Sequence, residues 1–382
     1  MAGRAKIQTL LQPSWHTFLA IFWDCLSAKH HSNDFSHYRS ARLVIRGRLF
    51  AVILAVAAPL WIPVDIWLLP PDSVGPMVIL RLSLGIALLC LAATSVPQTR
   101  TGGRIVVYGL ALLTMLFYLI TQLLLETTAT SPQLIGYTAL PLLLVIVLAL
   151  FPLTLLESGT LLALIIASVL GIHAFLGTLS GLPVLGFVWV LTLLAGFTLI
   201  TQALNLYLLM QIYKQATHDS LTGLLNRGAL FRQFEQSGQY GEPVGKPLAV
   251  LLLDLDRFKQ INDSYGHPAG DLVLQSMAAA LSAAAQPDEI VGRFGGEEFM
   301  VVLPGSTLTH AMARAEAFRA AIEGTPIGIG ERLLYITASI GVAVGDDSDS
   351  LSELIRRADE ALYGAKEQGR NMVVTEAAAV AS

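Results

Sequence analysis

The chain has 382 residues, 54% of them hydrophobic and only 14% charged, with a net charge of −4. Ordinary soluble domains carry about 25% charged residues, so one water-soluble globule is excluded. No long basic cluster marks a nucleic-acid footprint, and two cysteines, Cys25 and Cys90, are too few for a disulfide framework or a cysteine metal site. The charge is also uneven. Residues 1–213 hold 10 Lys/Arg and 6 Asp/Glu, and residues 214–382 hold 14 and 22. The first half reads as an apolar, weakly basic segment and the second as an acidic soluble domain large enough for its own core.

Residues 1–45 are expected to be a cytoplasmic amino-terminal segment. The apolar patch near its middle is broken by Asp24 and lacks a small-residue cleavage site, which argues against a cleaved signal. An interfacial amphipathic helix at 14–26 and an unstructured tail are both open. Residues 46–212 form the expected membrane domain. A bilayer core needs about 20 apolar residues per helix, and six spans meet this: 47–69, 75–96, 104–125, 134–156, 159–180 and 184–212. Arg39, Arg42, Arg46 and Arg48 precede the first span, Arg100 and Arg104 lie between the second and third, and Lys214 follows the sixth. With an even count these bases fall on one side, and both chain ends are cytoplasmic. A five-span arrangement, with the fourth and fifth as one re-entrant unit, would put the second half outside, which the Lys214 flank opposes. Arg81 is expected to reach for the outer interface, and His173, deeper, to bond a neighbouring helix or to contact a ligand.

After the last span the helix is expected to run on without a Gly/Ser linker. Residues 247–256, PLAVLLLDLD, read as a buried strand ending in two acids. RFKQINDSYG reads as a turn, followed by an Ala-rich helix. EIVGRFGGEEFMVVL reads as two strands around Gly295-Gly296, taken as the positive-φ pair of a tight hairpin. A helix, a strand and a last helix from a Ser cap to Gly369 follow. The order β-α-β-β-α-β-α-β suggests a split βαβ fold with helices on a mostly antiparallel sheet.

Acids interrupt buried apolar strands at Asp254 and at Glu297-Glu298. If those strands are neighbours, three carboxylates converge at a cost that a hard divalent cation with oxygen ligands offsets. Mg²⁺ usually binds one or two carboxylates plus substrate phosphates, which implies a nucleoside triphosphate. Lys259, Lys366 and Arg370 would add positive charge. Lys366 and Arg370 are spaced to reach one phosphate group together from a helix end.

These residues lie within a resemblance. Residues 216–375 resemble the GGDEF family of diguanylate cyclases. The match runs through HDSLTGLLNR (218–227), DLDRFKQINDSYGHPAGD (254–271), GGEEF (295–299), SIGVAV (339–344) and ADEALYGAKEQGRN (358–371), in order. The resemblance implies a multi-span α-helical membrane domain followed by an α+β, palm-like GGDEF domain (213–375) with a central antiparallel sheet and a short tail (376–382). It implies condensation of two GTP to cyclic di-GMP with release of two pyrophosphates, by a homodimer at the inner membrane, read out by downstream cyclic di-GMP effectors. Asp254, the Leu255 carbonyl, Glu297 and Glu298 would hold Mg²⁺ or Mn²⁺. One of the two glutamates, which of them being open, would remove the proton. Asn262 and Asp271 would read guanine, Phe258 and Lys259 would meet the phosphates, and Lys366 and Arg370 would clamp them. His267 joins the substrate-contacting set, with a structural hydrogen bond as its other reading. One departure stands out: where many members carry Arg-x-x-Asp as a product site, this chain has Gln286-Pro-Asp-Glu289. Two rivals are a domain that binds GTP or cyclic di-GMP without turnover, and a transporter with a regulatory tail.

Overall fold

The computed structural model describes residues 22–95, 101–126, 135–179, 181–237, 247–330, 332–345 and 349–376. Most of the 14–26 stretch, Arg100 and the tail beyond Glu376 lie outside the described residues. The chain divides into two compact units, Met1–Ile212 and Tyr213–Ser382.

In the amino-terminal unit, helix α1 (Asn33–Leu60) starts where Ser32 accepts the Phe35 N–H. It begins well before the expected first span, so Arg39, Arg42, Arg46 and Arg48 lie on the helix instead of ahead of it. A break at Trp61 leads to α2 (Ile62–Leu68). Helices α3 (Pro71–Ala93) and α4 (Gly102–Glu126) follow. Among the described residues five helices are long and apolar enough to cross a membrane, 33–68, 71–93, 102–125, 155–175 and 182–217.

The expected fourth span, 134–156, is broken. It forms α5 (Ile135–Thr138) and α6 (Leu140–Leu148), then an open stretch up to Thr154. Pro141 sits in the first turn of α6 and Pro152 lies in the open stretch, where no helical hydrogen bond can use it as a donor. Thr154 and Glu157 then form a capping box that starts α7 (Leu155–Phe175). Carbonyls at the end of α6 with hydrogen-bonding capacity left over would be costly in apolar surroundings. Helix α8 (Leu182–Thr217) satisfies them: Thr198 Oγ1 donates to Val145 O (3.3 Å), Gln202 Nε2 to Leu148 O (2.7 Å) and Asn205 Nδ2 to Ala149 O (2.9 Å).

Arg81 does not reach outward. It is buried, and its Nε and Nη2 grip both Asp65 carboxylate oxygens, one of which also accepts the Tyr137 hydroxyl at 2.6 Å. Burial away from water makes that partner obligatory. His173 meets Thr178 Oγ1 at 2.9 Å, at the end of its own helix.

The second unit is built on a six-stranded sheet in the order β1-β3-β4-β2-β7-β8. The strands are β1 (Leu225–Asn226), β2 (Leu248–Leu255), β3 (Ile290–Arg293), β4 (Glu298–Leu303), β7 (Ala338–Gly345) and β8 (Val373–Thr375). The four central strands are antiparallel as expected, but β1 pairs with β3, and β8 with β7, in parallel. The sheet is therefore mixed. A hairpin of β5 (Ile327–Ile329) and β6 (Arg332–Leu334) stands apart. Helices α10 (Phe258–Tyr265), α11 (His267–Ala284) and α12 (Leu308–Glu323) cover one face, through Phe258, Val273, Met277 and Phe318 against Leu251 and Leu253. Helices α9 (Arg227–Ser237) and α13 (Leu351–Glu367) cover the other, through Leu230, Ala358 and Leu362 against Val250 and Leu252. Cover on both faces explains why β2 is apolar throughout instead of alternating.

Two local expectations change. Residues 258–265, read as a turn, are the helix α10. The reversal comes one residue earlier, at Arg257, whose φ is +57°. Neither Gly295 nor Gly296 is among the positive-φ residues.

Candidate active site

The register of the central strands makes the site. Asp254, next to the end of β2, stands directly opposite Glu298, the first residue of β4, and opposite Ser339 of β7. Leu255 N–H donates to the Glu297 carbonyl at 3.3 Å, which ties the hairpin tip to the end of β2. The tip closes through Phe294 N–H and Gly295 N–H, both donating to the Glu298 carbonyl. Gly295 is needed for room. A Cβ there would lie 2.2 Å from Glu298 Oε2, so the glycine is the floor on which that carboxylate rests.

Asp254 is buried, and Lys366 from the last turn of α13 holds its Oδ2 at 2.8 Å. Burial pushes the Asp254 carboxyl above its usual range, against the pull of Lys366, and the Asp256 charge adds to the rise. Burial and then the Asp254 charge also raise Glu297 and Glu298. Burial thus raises all three acids, the Asp254 charge adds to the rise of both glutamates, and the charge of one lysine reaches all three. Among the described residues no three His, Cys, Asp or Glu side chains stand close enough to hold a metal as they are. The donor set itself fits a hard divalent ion, being all oxygen: Asp254, Glu297, Glu298 and the Leu255 carbonyl at the same strand end.

Lys366 and Arg370 do not share a helix turn. Helix α13 ends at Glu367, and Arg370 lies past it with φ at +67°, its N–H bonded to Ala365 O. Arg370 lines a cleft of about 390 Å³ together with Arg257, Gln260, Ser264 and Tyr335. Its charge still reaches Asp254.

The two expected base readers come from adjacent helices. Asn262 is half-buried on α10, and Asp271 is exposed on α11. Gly270, just before Asp271, leaves room for Asn262: a Cβ there would sit 2.0 Å from Asn262 Oδ1. Phe258 is buried in the core, so it contributes backbone and packing, whereas Lys259 and His267 are exposed.

Sequence reasoning gave no role to Asp256, Arg293, Asp219 or Arg314. Asp256 is buried and accepts from Thr337 Oγ1 (2.7 Å), Ser339 Oγ (2.7 Å) and Asn371 N–H (3.0 Å). It fixes the end of β2 and the start of β8. Its signal was the two-residue spacing from Asp254, which puts both on one strand face. Arg293 donates to the Gly295 and Gly296 carbonyls and pairs with Asp219 at 2.9 Å. Burial would raise Asp219, but bonds from Thr222 and Arg293 outweigh it and hold its carboxyl below the usual range. Arg293 therefore fixes the tip that carries both glutamates. At the departure noted above, Glu289 is already occupied: Arg314 grips both its oxygens (2.5 and 2.9 Å).

Residues 216–372 match the family described as diguanylate cyclase, GGDEF domain. This part of the chain is a GGDEF domain. It is 41% identical over 164 residues to diguanylate cyclase DgcM of Escherichia coli K12, a match covering 43% of this chain and 39% of that one. It is 40% identical over 166 residues to the response regulator PleD of Caulobacter vibrioides, covering 43% and 37%. The chain thus spans about two fifths of the length of these curated relatives. Among solved structures, the coiled coil and GGDEF domain of DgcB from Caulobacter crescentus, in complex with c-di-GMP, aligns at 30% identity and a TM-score of 0.44, covering 48% of this chain and 97% of that one. The name fixes the hairpin: Gly295 to Phe299 is the signature of the GGDEF domain, and here its third residue is Glu297.

Proposed function

We propose that the protein is a membrane-bound diguanylate cyclase, which condenses two GTP to cyclic di-GMP and two pyrophosphates under control of the amino-terminal helices. The observation that carries this reading is the register of Asp254 opposite Glu298, with Lys366 paired to Asp254. A domain that only bound nucleotide would not need carboxylates set against one another beside a single lysine.

Asp271 accepts from guanine N1–H and N2–H₂, a pair adenine lacks, and Asn262 bonds the same edge. Lys366 leaves Asp254 to meet the triphosphate, joined by Lys259 and Arg370. Asp254, Glu297, Glu298 and the Leu255 carbonyl would hold Mg²⁺ or Mn²⁺. Such an ion, when bound, lowers the hydroxyl pKa and neutralises the triphosphate. A glutamate of the pair takes the proton of the 3′-hydroxyl, whose oxygen attacks the α-phosphorus of the second GTP, and pyrophosphate leaves. The same step, repeated with the roles reversed, closes the ring. Positioning and charge stabilisation supply most of the rate. Five apolar helices support a multi-pass membrane location. A GGDEF domain in the cytoplasm, beside its GTP, requires an even number of crossings, so in this reading the broken α5–α6 segment counts as the sixth.

Asp271→Ala should cut the preference for GTP over ATP at least about tenfold, the scale of a lost hydrogen bond to a charged group. Competition of ATP against GTP in initial rates measures it, and an unchanged ratio would remove Asp271 from the base pocket. The product is two-fold symmetric, while each domain offers one base pocket and one acid hairpin. Two copies must therefore face each other. Specific activity of the full chain in detergent should rise with protein concentration across its dimerisation range. A flat profile from a demonstrated monomer contradicts the two-copy site.

A further inference from the structure

The amino-terminal unit contains a second polar centre that the nucleotide chemistry does not use. Glu157, in the first turn of α7, accepts two hydrogen bonds from Arg39 of α1 (2.8 and 3.2 Å), one from Arg104 of α4 (2.6 Å) and one from the Thr154 N–H (3.0 Å). Its carboxylate is saturated. Two guanidinium groups face this one carboxylate, Arg39 being 3% exposed and Arg104 about a third exposed.

Hydrogen-bonding capacity is left over as well. Among the described residues Arg39 Nε and Ser158 Oγ have no partner, although Ser158 is 1% exposed and adjoins Glu157. His31 is also buried, and the charges of Arg39 and Glu157 reach it, as does that of Asp24. His31 Nε2 lies 2.7 Å from the Asp24 carbonyl, which can only accept, so Nε2 carries the proton. Its Nδ1 is left as an acceptor with no partner among the described residues. Buried polar groups left unpaired are costly, and a ligand or water satisfies them.

We propose that this centre binds a phosphate oxyanion that also carries a hydroxyl: hydrogen phosphate, or the phosphoglycerol headgroup of an anionic lipid. The oxyanion meets Arg39 Nε–H, the Ser158 hydroxyl and Nη1 of Arg104, whose Nη2 is held by Glu157, and the ligand's own O–H donates to His31 Nδ1. The two guanidinium groups select an anion, and the orphan acceptor selects one with a proton to give. Phosphatidylcholine, whose headgroup is zwitterionic and has no hydroxyl, does not fit.

All five tryptophans, at 15, 23, 61, 67 and 189, lie in the amino-terminal unit, so their fluorescence reports its melting alone. The test is the tryptophan melting temperature of the full chain in maltoside micelles. It is titrated with sodium phosphate against chloride at equal ionic strength, and with dioleoylphosphatidylglycerol against dioleoylphosphatidylcholine. A ligand that binds the folded state raises the melting point saturably. The expected result is a saturable rise with phosphatidylglycerol, with phosphate, or with both, and none with the controls. A rise with the lipid alone assigns the headgroup, and a rise with phosphate assigns the free anion. Ser158→Ala removes a hydroxyl that bonds nothing in the fold, so the unliganded melting point should hold while half-saturation moves up about tenfold. Arg39→Gln should abolish the response. If that variant does not fold, Ser158→Ala decides. No saturable rise with either probe, a phosphatidylcholine response equal to that of phosphatidylglycerol, or an unmoved half-saturation in Ser158→Ala would overturn the site, leaving water as its occupant.

Discussion

Replacing Glu298 by Gln should lower the turnover of GTP at least about 100-fold, the usual cost of removing one charge-stabilising group from an active site, while the domain melts no earlier than the unmodified protein. The side chain has no structural partner to lose. What the strand needs from Glu298 is its carbonyl, which accepts from Phe294 and Gly295, and Gln keeps that. The carboxylate instead faces Asp254 across the register, and burial with that neighbouring charge holds its own proton affinity high. Removing one negative charge relieves the repulsion, so the melting temperature should stay level or rise slightly, as at functional sites that hold charge against stability. Glu297→Gln should behave alike. Thermal melts read beside initial rates check this. A variant with full rate, or one that fails by unfolding, would contradict the role given to the hairpin.

Gly341→Ala should have the largest effect on folding. Gly341 lies in β7 beneath α13, and a Cβ there would stand 2.0 Å from the Ala358 carbonyl and 2.3 Å from the Leu362 N–H. Both are backbone atoms of one helix, so no rotamer change relieves the clash and α13 must lift from the sheet. Overpacking of this kind costs about 3 kcal/mol. For a domain of this size that is a fall of roughly 6–12 °C in melting temperature. Activity should fall as well, because α13 carries Lys366 to Asp254. Circular dichroism melts of the two proteins side by side measure it, and a fall under about 2 °C would mean that the helix is free to shift.

The acids at the end of β2 and at the tip before β4 were legible because carboxylates rarely interrupt buried apolar strands without a task. The reading of Gly295 failed on its reason. A glycine pair at a hairpin suggests positive φ, but neither Gly295 nor Gly296 adopts it, and Gly295 serves by lacking a side chain beneath Glu298. Sequence spacing placed Arg370 one turn from Lys366, because it carries no mark of where α13 stops. Partners far apart in sequence were invisible for a similar reason. Arg81 was read without a partner, and its pairing with Asp65 appears only when α2 and α3 fold against each other. Asp219 and Arg293 are 74 positions apart. Composition could not show the break in the fourth expected span, since Pro141 and Pro152 sit in an unbroken apolar run and the helix ends without a polar residue to announce it.

The measurement that bears most directly on the proposed activity is product analysis. Purified full-length protein in detergent would be incubated with GTP and Mg²⁺, and the nucleotides separated by ion-pair chromatography with mass detection. The proposed chemistry predicts cyclic di-GMP and pyrophosphate in a 1:2 ratio, with the linear dinucleotide only as a transient, and neither product from the Glu298→Gln protein. GTP recovered unchanged, or GDP and phosphate in place of the cyclic dinucleotide, would contradict it.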